Sequence, residues 1–530
     1  MERNPQVLTE LLDYAAHDYG ASAALDFMGR RWTYSQLEDL SARCAFALQA
    51  MGVRPGDRVC LCLPNTPYFV IAYFAVLRVG GIVVSMNPLY TEREMNHLVT
   101  DSGSKLAFVP DLPGVVSKIA AINTLEHIII CPVDQILPAA KGLAYRVFKR
   151  SLRMPKPYSA PRMTAFAKLA SNPRDFAPHD NRQEDVAVLQ YTGGTTGLPK
   201  GAMLTHGSLI ANCLQMAEHD RGRPATQETV MAVLPMFHVF SLTSVLNYAI
   251  HTAACIILMP RFEMKPFLQA MRRTRPERFF AVPTILTALN ELPAESLPQM
   301  SQLRLCVSGG APLPSEVRLR FEQRTGCRVV EGYGLSEASP TIACNPIVGV
   351  VKDGSAGVAF PRTSIEIRSL ETGEVVGTGV NGEVCIRGPQ VMKGYWNRPE
   401  ETAEVLSDGL LRTGDVGHLD DEGYLFLVDR IKDLILCGGY NVYPRVIEDA
   451  LYEHPDVVEA VVIGVPDAYR GEAPKAFVKL RPGAAIDSAA LSNFLKDKIS
   501  KIEMPKEIEL RDELPKTLIG KLSKKELRAG

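Results

Sequence analysis

Eleven consecutive residues, Tyr191-Thr-Gly-Gly-Thr-Thr-Gly-Leu-Pro-Lys-Gly201, hold four glycines, three threonines and one lysine. Glycines let the backbone turn tightly and bring N–H groups close to an anion. The hydroxyls add donors and Lys200 adds a positive charge. A short apolar run, 186–189, precedes the loop and predicts a strand; a helix-like segment begins near Ser208. Strand, glycine loop and helix together form a usual setting for phosphate binding. The spacing is not that of a Walker loop, which needs Gly, four residues, then Gly-Lys-Ser/Thr. Here the lysine follows Pro199 and is followed by Gly201 and Ala202, with no hydroxyl placed for magnesium. A plain Gly/Thr turn is the bland alternative, although turns rarely combine three threonines with a lysine.

The surrounding pattern is α/β. Short apolar runs at 58–63, 82–85, 105–109 and 127–131 alternate with helical periodicity between Leu8 and Leu169, as in a largely parallel sheet. A second α/β block is expected from about 185 to 340. Residues 357–429 are rich in Gly, Val and Thr and predict a small β subdomain. After Asp429 the pattern changes to helix at 445–452, strands at 457–465 and 473–480, and helix at 488–499, a separate α+β unit. The apolar run 68–77 ends at Arg78 and is too short to span a bilayer. Pro67 after Asn65 and Thr66 predicts a capped, buried helix.

With 530 residues, 46% of them hydrophobic, the chain can build two to four domains. Its net charge of −1 argues against nucleic acid as a partner. The opening Met1-Glu-Arg-Asn-Pro5 lacks the pattern of a secretory signal. Eleven cysteines show no paired spacing, so neither zinc nor a disulfide framework is expected and a reducing cytoplasm fits. Residues 143–156 mix Phe148, Leu152 and Met154 with five cations after Tyr145. That is equally a membrane-surface helix, on the inner face, or an ordinary solvated one.

Further motifs stand in order along the chain: Ser308-Gly-Gly-Ala-Pro-Leu-Pro314, Glu331-Gly-Tyr-Gly-Leu-Ser-Glu337, Leu411-Arg-Thr-Gly-Asp-Val-Gly417, Asp429-Arg-Ile-Lys-Asp-Leu-Ile435 and Pro515-Lys-Thr-Leu-Ile-Gly-Lys-Leu522. Taken singly, several are ordinary turns or solvated linkers. Together with the glycine loop they resemble the adenylate-forming superfamily of acyl-CoA synthetases, luciferases and peptide-synthetase adenylation domains. The resemblance covers roughly residues 10–528. It implies a large N-terminal domain (1–429) of two α/β subdomains plus the β subdomain 357–429, a hinge at 430–434, and a small mobile α+β domain at 435–530. It also implies that a carboxylate attacks the α-phosphorus of ATP to give an acyl-AMP.

Both reactants are anions, so the site must supply cations and donors. By resemblance, Thr192, Gly193, Gly194, Thr195, Thr196, Gly197 and Lys200 hold the phosphates. Gly310 and Ala311 lie against adenine, as does Glu331 at the head of its motif. Tyr333 stacks on the purine, Gly332 and Gly334 leave room, and Ser336 donates to the α-phosphate where most relatives carry threonine. Glu337, with Thr195, holds Mg2+, which takes few protein ligands beside phosphates and waters. Asp415 clamps the ribose, Arg430 approaches ribose or phosphate, and Lys432 is the hinge residue. Lys521 bridges carboxylate and α-phosphate. His238, in Pro235-Met-Phe-His-Val-Phe240 before a helix expected from Ser241, shapes the acyl pocket and thiol entrance.

Within the superfamily, Gly332 to Asn345, Val384 to Trp396 and Gly438-Gly-Tyr-Asn-Val-Tyr-Pro444 look most like bacterial long-chain fatty-acyl-CoA synthetases. Gly438 and Gly439 thread the pantetheine arm, and CoA is the implied acceptor. Val239, Phe240 and Leu242 opposite Gly332 imply an apolar channel for a fatty acid; Leu242 stands where some relatives place a tryptophan gate. Medium-chain, dicarboxylic or aryl acids, or another acceptor, remain alternatives, while a non-catalytic sensor would not be expected to keep Glu337 and Lys521. A homodimer is compatible with a sequence that does not specify oligomeric state.

Overall fold

The computed structural model describes residues 4–148, 161–192, 199–220, 227–438, 440–517 and 521–529. Four sheets organise the chain: one of seven strands, one of nine, a five-stranded antiparallel-rich sheet spanning Ser364–Arg368 to Leu425–Arg430, and a five-stranded sheet after residue 434. The first two carry helices between mostly parallel strands. The arrangement is mixed α/β, with a large N-terminal and a small C-terminal domain.

Local chemistry explains many element ends. The helix Tyr34–Ala50 starts at Thr33, whose hydroxyl accepts from Gln36 N–H while Gln36 reaches back to the Thr33 N–H. Glu92–Ser102 starts with the same reciprocal cap, Thr91 and Glu94, and ends at left-handed Gly103. In His127–Cys131 the three isoleucines are buried on both faces, as expected of a parallel strand covered on each side.

Three expectations need correction. The blocks 8–169 and 185–340 are interleaved. Strands Ala23–Phe27 and Arg30–Thr33 join the nine-stranded sheet, with Leu25 beside Ile256, while Val186–Thr192 and Lys200–Thr205 complete the seven-stranded one. Periodicity identifies a strand but not its partner across a crossover. The glycine loop also joins two antiparallel strands instead of leading to a helix: Thr192 pairs with Lys200, and the helix His206–His219 follows only after the second strand. Buried Ala202 and Leu204 drive that strand into the sheet, and Thr205 caps the helix by accepting from Ser208 N–H at 3.0 Å. The helix N-terminus is thus occupied by its own cap. Finally, Pro67–Arg78 is a helix buried throughout, but without a side-chain cap. Thr66 Oγ donates instead to Pro64 O, and Asn65 bonds Ala232 O, Leu234 O and Met236 N. Asn65 therefore ties the start of this helix to the end of strand Thr229–Ala232 in the other sheet.

All eleven cysteines are free and buried. Among the described residues no helix is long and apolar enough to cross a membrane, and no group of three or more His, Cys, Asp or Glu could hold a metal.

Candidate active site

A cavity of about 1200 Å³ runs from the small domain into the space beside the nine-stranded sheet. Lys521 enters it from the C-terminal domain and packs on Gly310. A side chain at 310 would sit 2.8 Å from Lys521 Cε and 3.0 Å from Nζ, and Gly310 also has φ +80°. Glycine here is both a turn requirement and a seat for the lysine. Burial, then the neighbouring Arg430, lowers the Lys521 pKa to about 8. His238 lies on the same cavity; burial, then the Lys521 charge, pushes its pKa down to about 3. The imidazole is therefore neutral at physiological pH, and the cation beside it is the lysine.

The strand Arg328–Gly334 brings Tyr333 to the cavity, and its hydroxyl donates to Asp415 Oδ2 at 2.6 Å. Arg430 Nε lies 3.0 Å from the other oxygen, Oδ1. This joins the nine-stranded sheet, the five-stranded sheet and the residue before the turn Ile431–Asp433. Lys432 on that turn also lines the cavity; burial first, then Arg430, lowers its pKa.

Ser336 and Glu337 occupy the turn Ser336–Ala338. Glu337 Oε1 accepts from the Tyr395 hydroxyl at 2.8 Å, and Lys200 Nζ lies 5.2 Å from the Tyr395 ring centre. Backbone pairing of 393–396 with strand Lys200–Thr205, including Trp396 N to Gly201 O at 2.8 Å, makes that meeting possible. The glycine loop's second strand thus carries Lys200 to the Glu337 side.

Chains of this architecture are known. The model of the AMP-binding enzyme family matches residues 12–396, and that of its C-terminal domain matches 446–521. The chain belongs to the AMP-binding enzyme family. A long-chain-fatty-acid–CoA ligase of Bacillus subtilis is 41% identical over 98% of this chain and 94% of its own. One from Salmonella typhimurium is 36% identical over 99% and 95%. Crystalline ATP-bound MatB from Rhodopseudomonas palustris superposes with a TM-score of 0.87 at 31% identity, covering 98% of each chain; its apo form gives 0.78 at the same identity and coverage. The superposition is closer on the ATP-bound form.

Read as a member of that family, the chain places most residues singled out in its sequence around one cavity: Thr192, Lys200, His238, Val239, Gly310, Gly332, Tyr333, Gly334, Ser336, Glu337, Arg430, Lys432 and Lys521 line it. Asp415 stands immediately behind Tyr333 and Arg430. Gly334 is also glycine for packing, because a Cβ would lie 2.0 Å from Pro340 O. Four others stand apart from the lining. Glu331 is buried and accepts from Leu313 N–H, so it holds the Ser308 to Pro314 turn; burial raises its pKa to about 7. Ala311 and Gly438 lie outside the lining, and Leu242 is fully buried at the start of a π-helical segment, Leu242–Asn247. The helix begins at Val239, ahead of the expected Ser241. Gly193, Gly194, Thr195, Thr196, Gly197 and Gly439 lie outside the described residues. Tyr395 was legible only as part of the Val384 to Trp396 match, which assigned it no role. The lining also reaches Ser244, Tyr248 and Arg278, which no motif marked.

Proposed function

We propose that this chain is an ATP-dependent long-chain-fatty-acid–CoA ligase, forming an acyl-AMP with release of pyrophosphate and then the acyl-CoA thioester. The observation that carries this is Lys521 seated on Gly310 in the cavity that Tyr333, Ser336, Glu337 and Arg430 line. The near-full-length identity to ligases of that name supports the acid and the acceptor.

In the pose described, the Lys521 ammonium draws the fatty carboxylate and the α-phosphate of ATP together. A fixed cation in a dry site lowers their repulsion far more than a solvated one. Tyr333 covers the adenine, and Asp415, oriented by Tyr333 and Arg430, accepts from the ribose hydroxyls. Ser336 and Lys200 donate to the phosphates, alongside Thr192, Thr195 and the loop glycines 193, 194 and 197. Glu337, on the cavity lining, and Thr195 would hold Mg2+, which when bound offsets phosphate charge. His238, neutral, shapes the wall between acyl carbonyl and thiol entrance.

The second step needs Lys521 withdrawn. The small domain, 435–530, rotates about Lys432 within the hinge 430–434, and the Gly438–Gly439 segment then faces the acyl carbonyl for attack by the CoA thiolate. The higher similarity to the ATP-bound than to the apo relative supports the present pose as the adenylating one.

The helix Ala139–Phe148 carries exposed Leu143, Val147 and Phe148 on one side. That supports peripheral contact with the inner face of the membrane, read out by vesicle sedimentation. The test of the activity is pyrophosphate release with ATP and magnesium across acids from acetate to oleate, with and without CoA. CoA-dependent turnover rising from acetate toward longer chains is the expected result; turnover of aryl or dicarboxylic acids alone overturns the substrate while keeping the chemistry.

A further inference from the structure

The cavity has a polar far end. Arg278, Phe280 and Val282 are alternate residues along one strand and its continuation, so their side chains share a face, and all three line the cavity. Val282 Cγ1 and Lys521 both lie within 4.0 Å of the Cβ position of Gly310, which fixes the near end. Four strand steps of about 3.3 Å then put Arg278 about 13 Å away. The facing wall repeats the gradient. Phe240, Ser244 and Tyr248 line the cavity at four-residue spacing, which the wide turn of the segment Leu242–Asn247 brings close to one line.

At that far end Asp220 Oδ2 accepts from the Tyr248 hydroxyl at 2.7 Å and from Arg278. Arg278 also pairs with Glu228 at 3.2 Å, and Glu228 with Arg304 at 2.6 Å. Two arginines and two carboxylates balance. Asp220 Oδ1, Ser244 Oγ and Arg278 Nε nevertheless find no hydrogen-bond partner among the described residues, although Asp220 is 4%, Ser244 1% and Arg278 2% exposed. Buried polar atoms are seldom left unpaired. One acceptor, one hydroxyl and one N–H donor, all on the cavity lining, match the needs of a hydroxyl group, which can donate to the first and accept from the other two. A carboxylate could take the Arg278 Nε–H, but it would meet Asp220 Oδ1 as a like charge and add an acid to a cluster whose charges already balance. A methyl end would leave all three atoms unmet.

We propose that this end of the cavity selects acyl chains bearing a hydroxyl roughly ten carbons from the carboxylate, the extended reach of C–C bonds of about 1.5 Å over this distance. The inference rests on the fatty-acid ligase reading. Recognition by hydrogen bonds to otherwise unpaired buried groups discriminates more steeply than an added methylene does.

The experiment compares kcat/KM for 10-hydroxydecanoate, decanoate and decanedioate by CoA-dependent pyrophosphate release. The hydroxy acid is expected to exceed decanoate by about tenfold or more, with decanedioate below both. In Ser244→Ala the ratio of hydroxy acid to decanoate falls several-fold toward one. Equal or lower kcat/KM for the hydroxy acid in the unmodified enzyme overturns the proposal while leaving the ligase reading intact. Higher turnover of decanedioate overturns Asp220 as the recognising acceptor. No turnover of these or any other straight-chain acid overturns both readings.

Discussion

A tyrosine, an aspartate and an arginine meet at each end of the cavity, and the two trios are built differently. At the mouth both oxygens of Asp415 are engaged, Oδ2 by Tyr333 at 2.6 Å and Oδ1 by Arg430 at 3.0 Å. At the far end one oxygen of Asp220 takes both Tyr248 and Arg278. The Arg430 side chain is 53% exposed and precedes the turn into the small domain, whereas Arg278 is 2% exposed and held by a second carboxylate. Identical residue types thus give a partly exposed pairing beside the turn into the small domain and a buried, doubly held one inside a sheet. What separates them is how many partners each arginine must lose to move.

The comparison breaks most sharply at Lys521, which packs on Gly310 at the mouth. Lys521→Ala is expected to slow acyl-AMP formation by about 10²–10³-fold, as for loss of one positioned transition-state donor. Thioester formation from supplied acyl-AMP should fall less than tenfold. Equal losses in the two half-reactions, measured separately, would remove Lys521 from its role.

Arg278→Met tests the far wall. Stripping one partner from a buried ion cluster leaves uncompensated carboxylates and costs about 3–5 kcal/mol. Urea unfolding should show that loss. Asp415→Asn at the mouth should instead leave the urea midpoint nearly unchanged and raise KM for ATP about tenfold, by weakening charge-assisted bonds to the ribose. If Asp415→Asn unfolds the protein as readily as Arg278→Met does, the contrast between the exposed and the buried trio is wrong.

A smaller effect lies in pH. Burial has lowered Lys521 to about 8, and in its proposed role the working form is the cation. Adenylation kcat/KM should therefore decline several-fold as pH rises through that value. The folded value lies below the ordinary 10.5, so between the two the unfolded chain binds more protons and this group's contribution to stability grows with pH. Lost activity there is not unfolding. Lys521→Arg, which does not titrate in this range, should flatten the decline even if its rate is lower.

The mouth was far more legible in the sequence than the wall. Lys200, Tyr333, Glu337, Asp415, Arg430 and Lys521 each sit in a compact motif whose glycines and charges are unusual together. Asp220, Ser244, Tyr248 and Arg278 sit in no motif. They come from the end of one helix, a π-helical segment, the helix after it and the start of a strand, and no local periodicity links those positions. Tyr395 lies between the cases: its motif was visible, but its bond to Glu337 depends on pairing with strand Lys200–Thr205, and that strand was concealed by the loop before it. Leu242 lies off the lining for a related reason, since the helix begins earlier and turns wider than a 3.6-residue period assumes.

The pairing of Leu25 with Ile256 also sets a clock on biosynthesis. The strand Ala23–Phe27 leaves the ribosome early, but its parallel neighbour Cys255–Leu258 is made roughly 230 residues later. At about 5–20 residues per second the first strand must wait on the order of ten seconds or more with an apolar edge unpaired. Until then it is a natural client for a chaperone, and a ribosome stalled before residue 258 releases a chain whose nine-stranded sheet cannot close.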